Sequence, residues 1–302
     1  MDCLILKMNA TGDVVRTTPL LRRLPGSVTW VTAPSNVVLL EGVSGSLRCI
    51  AWEHRTAALD RRYDLLINLE DDSAVGAFAA QVKFDRLFGA YLSEHGEVRY
   101  TDDARRWFDM SLISIHGKKR ADELKFLNRQ SYQELIFEGL SLDFEGDEYL
   151  LPRVGATGLV GDVAVTPTAG PVWPMKNWAH YDELITRLRA DGLEVNVLPH
   201  RSSLLEHLAD VRGHSVLVGG DSLPMHLALG SGVECVTIFN CTSPWEIFDY
   251  GLQTKIISPL LGEFFYRRGM DPRATAAVSV EEVFDAIVAR IDRKSSRRGD
   301  RI

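Results

Sequence analysis

Short apolar runs alternate with amphipathic segments along most of this sequence. In the first half, apolar runs suited to strands occur at 3–8, 28–32, 47–52, 65–69 and 83–87. The same pattern returns in the second half at 162–166, at 193–197, from Val216 and at 233–239. Because strands that alternate with helices form parallel sheets covered on both faces, the pattern predicts an α/β fold.

The segments between these runs predict helices with identifiable starts and stops. The helix predicted over 14–24 contains Pro19, which should kink it or mark a restart. Ser279 and Glu282 form a capping box that should start the last helix, at 279–293. The apolar residues between 91 and 128 show no clear helical or strand spacing. The basic run at 117–120 predicts a surface loop, with docking of a polar or anionic acceptor as the alternative.

A change in composition divides the sequence in two. Residues 151–161 are rich in Gly and Pro, which is typical of a linker. A length of 302 residues fits about two domains. We therefore predict an N-terminal domain at 1–152 and a C-terminal domain at 160–275.

Composition and charge narrow the class of protein. The net charge of −7, without a strongly basic domain, argues against nucleic acid as the main partner. The basic tail at 293–302 predicts a solvated segment, with weak attraction to an anionic membrane surface as the alternative. The four cysteines show no CxxC spacing, which indicates a reducing compartment. With no signal-peptide pattern and no apolar run of membrane-spanning length, we expect a cytoplasmic protein.

A candidate anion site lies at 216–230. The pattern there predicts a buried strand, a glycine turn and a helix that opens at Pro224, with Ser222 as its cap. Gly219 and Gly220 would let a phosphate approach the backbone, and His226 would reach it from the first turn. The alternative is an ordinary strand–turn–helix with a packed histidine.

The loop after the first strand is the second candidate site. It runs Asn-Ala-Thr-Gly-Asp over 9–13, so Asp13 follows the carboxyl end of a predicted central strand. Open α/β sheets bind their ligands at that edge. A dinucleotide fingerprint would require GxGxxG here, and only Gly12 is present, which argues against a nicotinamide dehydrogenase.

Four patterns in order along the chain carry a resemblance to a known family. They are LILKMNATGDVVRTTPLL from Leu4, PVWPMKNW from Pro171, GGDSLPMHLA from Gly219 and IFNCTSP from Ile238. Together they resemble glycosyltransferase family 9, the bacterial heptosyltransferases that extend the lipopolysaccharide inner core from ADP-heptose. The likeness is weak between about 50 and 150.

The resemblance implies a GT-B fold, with two Rossmann-like domains whose parallel sheets face a cleft. The acceptor would bind the N-terminal domain and the nucleotide-sugar the C-terminal one, with the last helix packing back on the N-terminal domain. Two departures stand out: Leu223 replaces a usual Gly, and Asn240-Cys241 replaces a usual Gly-Pro. The stretch at 262–271 lacks the cysteine cluster of some relatives, so no structural metal is expected.

The resemblance also assigns roles to residues. Asp13 is the expected general base, with capping of a helix from Val14 as its alternative role, and Thr11 and Gly12 belong to the acceptor-side loop. The expected donor and phosphate ligands are Lys176, Gly220, Ser222, Leu223, His226 and Thr242. A surface lysine is the alternative for Lys176.

The reaction implied is a metal-independent, inverting transfer of a sugar to a hydroxyl group, with ADP-heptose as the favoured donor and no cofactor. The acceptor could be a glycan, a lipid-linked sugar, a small molecule or a protein. Two alternatives stay open: a sugar-nucleotide epimerase on the same fold, and a degenerate GT-B binding subunit. The second alternative is motivated by Leu223 and Asn240-Cys241.

Overall fold

The chain forms two compact units in the computed structural model, which describes the backbone of residues 1–299 and side chains through Arg293. The first unit is Met1–Pro152 and the second begins at Arg153. Residues 149–160, which include most of the predicted linker, contain no helix or strand. The side chains of the basic tail after Arg293 lie outside the described residues.

The first unit is built on a six-stranded sheet. Its strands are β1 (Asp2–Leu6), β2 (Ser27–Thr32), β3 (Leu47–Ala51), β4 (Arg62–Asn68), β5 (Lys83–Leu92) and β6 (Val98–Tyr100). Their spatial order is β3-β2-β1-β4-β5-β6, and only the last pair is antiparallel. In the central register, Leu4 of β1 lies between Thr29 and Leu66. The five strands predicted for this half are confirmed, and β6 was not predicted.

The helices of the first unit are mostly short. They are α1 (Thr11–Thr17), α2 (Leu20–Arg23), α3 (Val37–Leu40), α4 (Ser73–Ala79), α5 (Arg105–Phe108), α6 (Gly117–Leu127) and α7 (Tyr132–Leu140). Three 3₁₀ segments accompany them, at Pro34–Asn36, Trp52–Ala58 and Asp102–Ala104. The restart expected at Pro19 is confirmed, because α1 ends at Thr17 and α2 begins at Leu20. The loop expected at 117–120 is wrong, since those residues open α6.

Side chains that alternate along β1 supply the apolar layers on the two faces of this sheet. Cys3 and Ile5 belong to one buried cluster, and Leu4 and Leu6 belong to another. This period of two is what a strand covered on both faces requires.

The second unit repeats the plan with a five-stranded parallel sheet. Its strands are β7 (Gly161–Thr166), β8 (Val195–Val197), β9 (His214–Gly220), β10 (Glu234–Phe239) and β11 (Gln253–Ile257). Their order is β11-β10-β9-β7-β8. The helices are α8 (Tyr181–Ala190), α9 (Leu204–Arg212), α10 (Leu223–Leu229), α11 (Leu261–Phe264), α12 (Pro272–Ala276) and α13 (Val280–Gly299), with a 3₁₀ turn at Pro174–Lys176.

The last helix, α13, is held to the second sheet by apolar packing and a buried ion pair. Val283 and Ile287 lie in the core of this unit. Arg290 Nη1 lies 2.7 Å from Glu234 Oε2 on β10, and Arg290 Nε donates to Thr254 on β11. The apolar face of α13 therefore packs on its own unit. Packing of this helix back on the first unit stays a prediction.

Within residues 1–299, no helix combines the length and the apolar character that crossing a membrane requires.

We predict that Arg290→Met lowers the free energy of unfolding by about 3–5 kcal/mol, because it removes the Arg290 cation from the buried Glu234 carboxylate. Urea unfolding of the full chain measures the loss. Adding Glu234→Gln to Arg290→Met should restore part of the lost free energy of unfolding. The control is Arg293→Met, an exposed position of the same helix, which should change stability by less than about 0.5 kcal/mol. Equal losses in Arg290→Met and Arg293→Met would contradict the prediction.

Candidate active site

Asp13 lies in the first turn of α1, at the carboxyl edge of the first sheet. The helix begins at Thr11, three residues before the predicted start, and its N-cap position is Ala10. The alternative that Asp13 caps a helix from Val14 is therefore wrong. Arg16 Nη2 lies 3.0 Å from Asp13 Oδ1, and Lys7 Nζ lies 3.9 Å from Oδ2. Asp13 is therefore in an ion-pair contact with Arg16 and, at longer range, with Lys7.

Lys7 is a buried lysine whose charge is balanced by Glu70. Its Nζ lies 2.7 Å from Glu70 Oε1, and the side chains are 8% and 10% exposed. The same oxygen accepts the backbone N–H groups of Met8 at 2.8 Å and Asn9 at 3.2 Å. Glu70 thus fixes the loop that leads into α1. Sequence reasoning missed both residues, although a lysine inside an apolar strand run was a usable signal.

Arg16 is fixed by aromatic rings from distant parts of the chain. Its guanidinium carbon lies 4.2 Å from the centre of the Tyr132 ring and 5.5 Å from that of Trp107. Burial raises the pKa of Tyr132 above its ordinary value, so its hydroxyl stays neutral and bonds to Thr17 at 2.8 Å. This cation–π contact restricts the side chain that pairs with Asp13.

Thr11 and Gly12 form the first turn of α1 and are not part of the loop predicted there. Thr11 Oγ1 donates to Asn36 Oδ1 at 2.8 Å, and Asn36 Nδ2 donates to the carbonyl of Met8 at 2.6 Å. Gly12 is buried within the helix. Both residues therefore help to place the start of α1.

In the second unit, the predicted glycine turn is part of β9. A Cβ added at Gly219 would lie 2.1 Å from Thr166 Oγ1, and one at Gly220 would lie 2.9 Å from the carbonyl oxygen of Lys176. Close packing against the neighbouring strand and the Pro174–Lys176 turn therefore requires glycine at both positions. The expected turn was wrong because the strand continues through Gly220.

Lys176 is paired with Asp221 at the carboxyl end of β9. Its Nζ donates to the Asp221 carbonyl at 2.6 Å and lies 3.0 Å from Asp221 Oδ2. The two side chains are 14% and 16% exposed, so Lys176 does not match the surface-lysine alternative. The pair places one ammonium group beside the strand end where ligands bind in such sheets.

The start of α10 differs in detail from the predicted cap. Ser222 occupies the N-cap position without a side-chain cap, and its hydroxyl donates to the Gly220 carbonyl at 3.4 Å. Leu223 is the first helical residue and is partly buried. His226 is 4% exposed, which agrees with a packed histidine. The roles of these three residues toward phosphate stay predictions.

The loop after β10 contains buried polar atoms. Thr242 Oγ1, Ser243 Oγ and Asn240 Oδ1 have no hydrogen-bond partner within the described part of the chain. Asn240 Nδ2 donates to the carbonyl of Met175 at 3.0 Å, which ties this loop to the turn that carries Lys176. Burial raises the pKa of Cys241 to about 11, so its thiol stays neutral beside Lys176 and Asp221. Of the residues in this loop, sequence analysis predicted only Thr242 to bind the donor.

Three acidic side chains elsewhere in the first unit have structural partners. Asp72 caps α4, and Asp102 and Asp103 pair with Arg105 and Arg86, each at 2.7 Å. In the part of the chain that is described, no group of three or more His, Cys, Asp or Glu side chains is arranged to hold a metal ion.

Comparison with known proteins gives a likeness of fold. No protein-family model and no curated protein sequence matches the chain. The E. coli heptosyltransferase WaaC with ADP aligns with a TM-score of 0.63 and 16% identity, covering 96% of this chain and 100% of that one. A family 9 glycosyl transferase from Veillonella parvula aligns with a TM-score of 0.67 and 15% identity, covering 96% of this chain and 97% of that one. E. coli ADP-heptose lipopolysaccharide heptosyltransferase II aligns with a TM-score of 0.59 and 13% identity, covering 98% of this chain and 100% of that one.

These likenesses define the fold class as α/β with two Rossmann-like units of the GT-B type. The heptosyltransferases share this fold over nearly the whole of both chains.

We predict that Lys7→Met lowers the free energy of unfolding by about 3 kcal/mol, because Glu70 then keeps a buried charge without its partner. Lys7→Met combined with Glu70→Gln should cost less than Lys7→Met alone. Urea unfolding of the three proteins measures both. Lys83→Met, an exposed lysine at the start of β5, is the control and should have little effect. A double variant less stable than Lys7→Met would contradict the assigned charge balance.

Proposed function

We propose that the protein is a heptosyltransferase-like glycosyltransferase, which moves a sugar from a nucleotide-diphosphate donor to a hydroxyl acceptor. ADP-heptose is the favoured donor. Support comes from the GT-B fold and from the neighbours, since WaaC structures contain ADP or ADP-2-deoxy-2-fluoro heptose. The observation that carries the proposal is the Lys176–Asp221 pair, which lies near Cys241. The buried hydroxyl groups of Thr242 and Ser243 follow Cys241 in the same loop.

These groups have the chemistry that a departing diphosphate requires. In the proposed complex, Lys176 donates to the diphosphate, and Thr242 and Ser243 donate their hydroxyl protons to phosphate oxygens. Charge-assisted hydrogen bonds of this kind gain strength as negative charge develops on the leaving group. Lys176 supplies the positive charge, so the proposed reaction uses no metal ion.

Asp13 acts as the general base in the proposed reaction. The acceptor oxygen attacks the anomeric carbon and transfers its proton to the Asp13 carboxylate. The bond from that carbon to the phosphate oxygen breaks, and the nucleotide diphosphate leaves with the electron pair. Direct displacement of this type inverts the anomeric configuration. Arg16 and Lys7 orient the carboxylate through contacts at 3.0 and 3.9 Å.

We predict that Lys176→Ala weakens binding of ADP-heptose about ten- to hundredfold, which is the range for a lost hydrogen bond to a charged group. Isothermal titration calorimetry with wild type and variant measures the change. The matched control is Lys176→Ala with Asp221→Asn, which also removes the negative charge that Lys176 contacts in the wild type. Unchanged affinity in both variants, or no binding of any nucleotide-sugar by wild type, would refute the donor site.

We predict that Asp13→Asn lowers the rate of transfer by about 10²–10⁴-fold, because the amide cannot accept the acceptor's proton. Donor affinity should stay within about twofold, since Asp13 belongs to the other unit. Asp71→Asn, an exposed acid, is the control. Retained turnover would exclude Asp13 as the base.

The transfer assay, run with and without an acceptor and read together with donor binding, separates the two alternative functions. An epimerase would alter the donor without any acceptor, whereas a degenerate binding subunit would bind the donor and show no turnover in the wild type.

A further inference from the structure

Tyr266 has a backbone conformation that bulky residues rarely adopt. Its φ angle is +49°, in the left-handed region, and it lies two residues after the end of α11. Within residues 1–299, the other residues besides glycine with a positive φ are Ser141 and Tyr250. An aromatic residue in this region raises the free energy of the folded chain, so it persists only where contacts fix it. The contacts of Tyr266 therefore indicate what its conformation serves.

The backbone of Tyr266 binds the loop after β10. Its N–H donates to the carbonyl oxygen of Cys241 at 2.7 Å. Cys241 is fully buried and is followed by Thr242 and Ser243, whose buried hydroxyl groups have no partner in the part of the chain that is described. This bond therefore fixes the main chain next to two proposed phosphate ligands.

The side chain of Tyr266 contacts two further segments. Its ring packs edge-on against Trp173, with a centroid distance of 5.3 Å and an interplanar angle of 89°. Its hydroxyl donates to Glu246 Oε1 at 3.2 Å, and Glu246 is 5% exposed. A buried carboxylate requires such donors. The side chain therefore joins the motif that begins at Pro171 to the segment that follows Ser243.

Trp173 links this contact to Lys176. Its carbonyl oxygen accepts the Lys176 N–H at 3.0 Å, and the Pro174–Lys176 turn begins directly after it. The indole also packs against the buried cluster to which Cys241 belongs. Displacement of Trp173 would therefore move the turn that carries Lys176 relative to the loop that carries Thr242.

We propose that Tyr266 is a positioning residue for the donor, which holds the Lys176 turn and the Thr242–Ser243 loop at the spacing that a diphosphate requires. The inference rests on the proposed function, because that function makes these residues the phosphate ligands. Hydrogen bonds weaken steeply when donor and acceptor are misplaced, and donors that are placed before binding need no ordering when the ligand arrives. Tyr266 acts through Cys241 and Trp173 and needs no contact with the donor.

Tyr266→Gly removes the side chain and keeps the backbone bond to Cys241, because glycine adopts a positive φ without strain. Isothermal titration calorimetry with ADP as the probe measures the effect on the full chain. We expect binding about tenfold weaker, the factor for one lost hydrogen bond to a charged group. Tyr266→Phe keeps the ring against Trp173 and should stay within about threefold of wild type. Unchanged affinity in Tyr266→Gly, or an equal loss in Tyr266→Phe, would overturn the proposal.

Tyr250→Gly is the matched control, because Tyr250 is the other described tyrosine with a positive φ, at +51°. Its ring contacts Phe248, at a centroid distance of 4.9 Å. We expect ADP affinity within about twofold of wild type. An equal loss in Tyr250→Gly and Tyr266→Gly would show that any such deletion disturbs the unit, and would overturn the assignment to Tyr266.

A combined variant tests whether Tyr266 acts through the loop. Thr242→Val with Ser243→Ala removes the two hydroxyl groups. Adding Tyr266→Gly to this pair should weaken ADP binding by no more than about threefold, because part of what Tyr266 positions is already absent. A loss of about tenfold in both backgrounds would overturn the proposal, since independent effects on affinity multiply.

Hydrogen exchange without nucleotide separates failure of this inference from failure of the proposed function. In Tyr266→Gly, the amides at 240–246 should exchange faster than in wild type, and those at 161–166 in β7 should exchange at the same rate. ADP binding that depends on Lys176 and is unchanged in Tyr266→Gly refutes the positioning role alone. If wild type binds no nucleotide, the donor site is refuted; faster exchange then still supports the fixed loop, whereas unchanged exchange refutes both.

Discussion

The burial of one charged side chain, Lys7, determines how the carboxyl edge of the first sheet is built. An ammonium group that leaves water requires hydrogen-bond acceptors and a nearby opposite charge, or its burial costs on the order of several kcal/mol. Glu70 meets both requirements and also binds the backbone of Met8 and Asn9. Because these donors follow β1 and Glu70 follows β4, one carboxylate fixes two loops. The start of α1, and therefore Asp13, is placed by that arrangement.

In the second unit, Lys176 is paired in a way that would allow a ligand to replace its carboxylate partner. Lys176 bonds to the carbonyl and the carboxylate of a single residue, Asp221, and both side chains are more exposed than Lys7. In the proposed reaction, a diphosphate replaces the carboxylate while the carbonyl bond keeps Lys176 in place. The same exchange at Lys7 would unbalance Glu70 and release the β1 loop.

The regular part of the fold could be predicted from the sequence because apolar periodicity is a local property. The central strands of both sheets follow it. The restart at Pro19 follows from another local property, the inability of proline to continue a helix. Residues 91–128 could not be predicted in the same way. Helix α6 buries only Ala121, so it has no apolar stripe to reveal it, and α5 is a single turn of four residues.

Candidate functional residues could be proposed from the sequence only where they lie within short motifs. Asp13, Lys176 and Thr242 fall within short motifs, whereas the contact of Arg16 with Tyr132 joins residues more than a hundred positions apart. Glu70 gave no signal of its own, because an acid after a strand is common. Its role depends on Lys7, which follows β1, three strands earlier in the sequence but adjacent to β4 in the sheet.

Gly219 and Gly220 show that residues of a motif can be required for packing and not for binding a ligand. Both were expected to admit a phosphate, and both are required by the approach of Thr166 and Lys176. A sequence likeness carried by these glycines is therefore first a likeness of strand packing, which any chain with this fold must satisfy. The proposed function rests instead on side chains that packing does not require, above all Lys176 of the motif that begins at Pro171, whose burial beside Asp221 is unnecessary for a sheet and would suit a diphosphate.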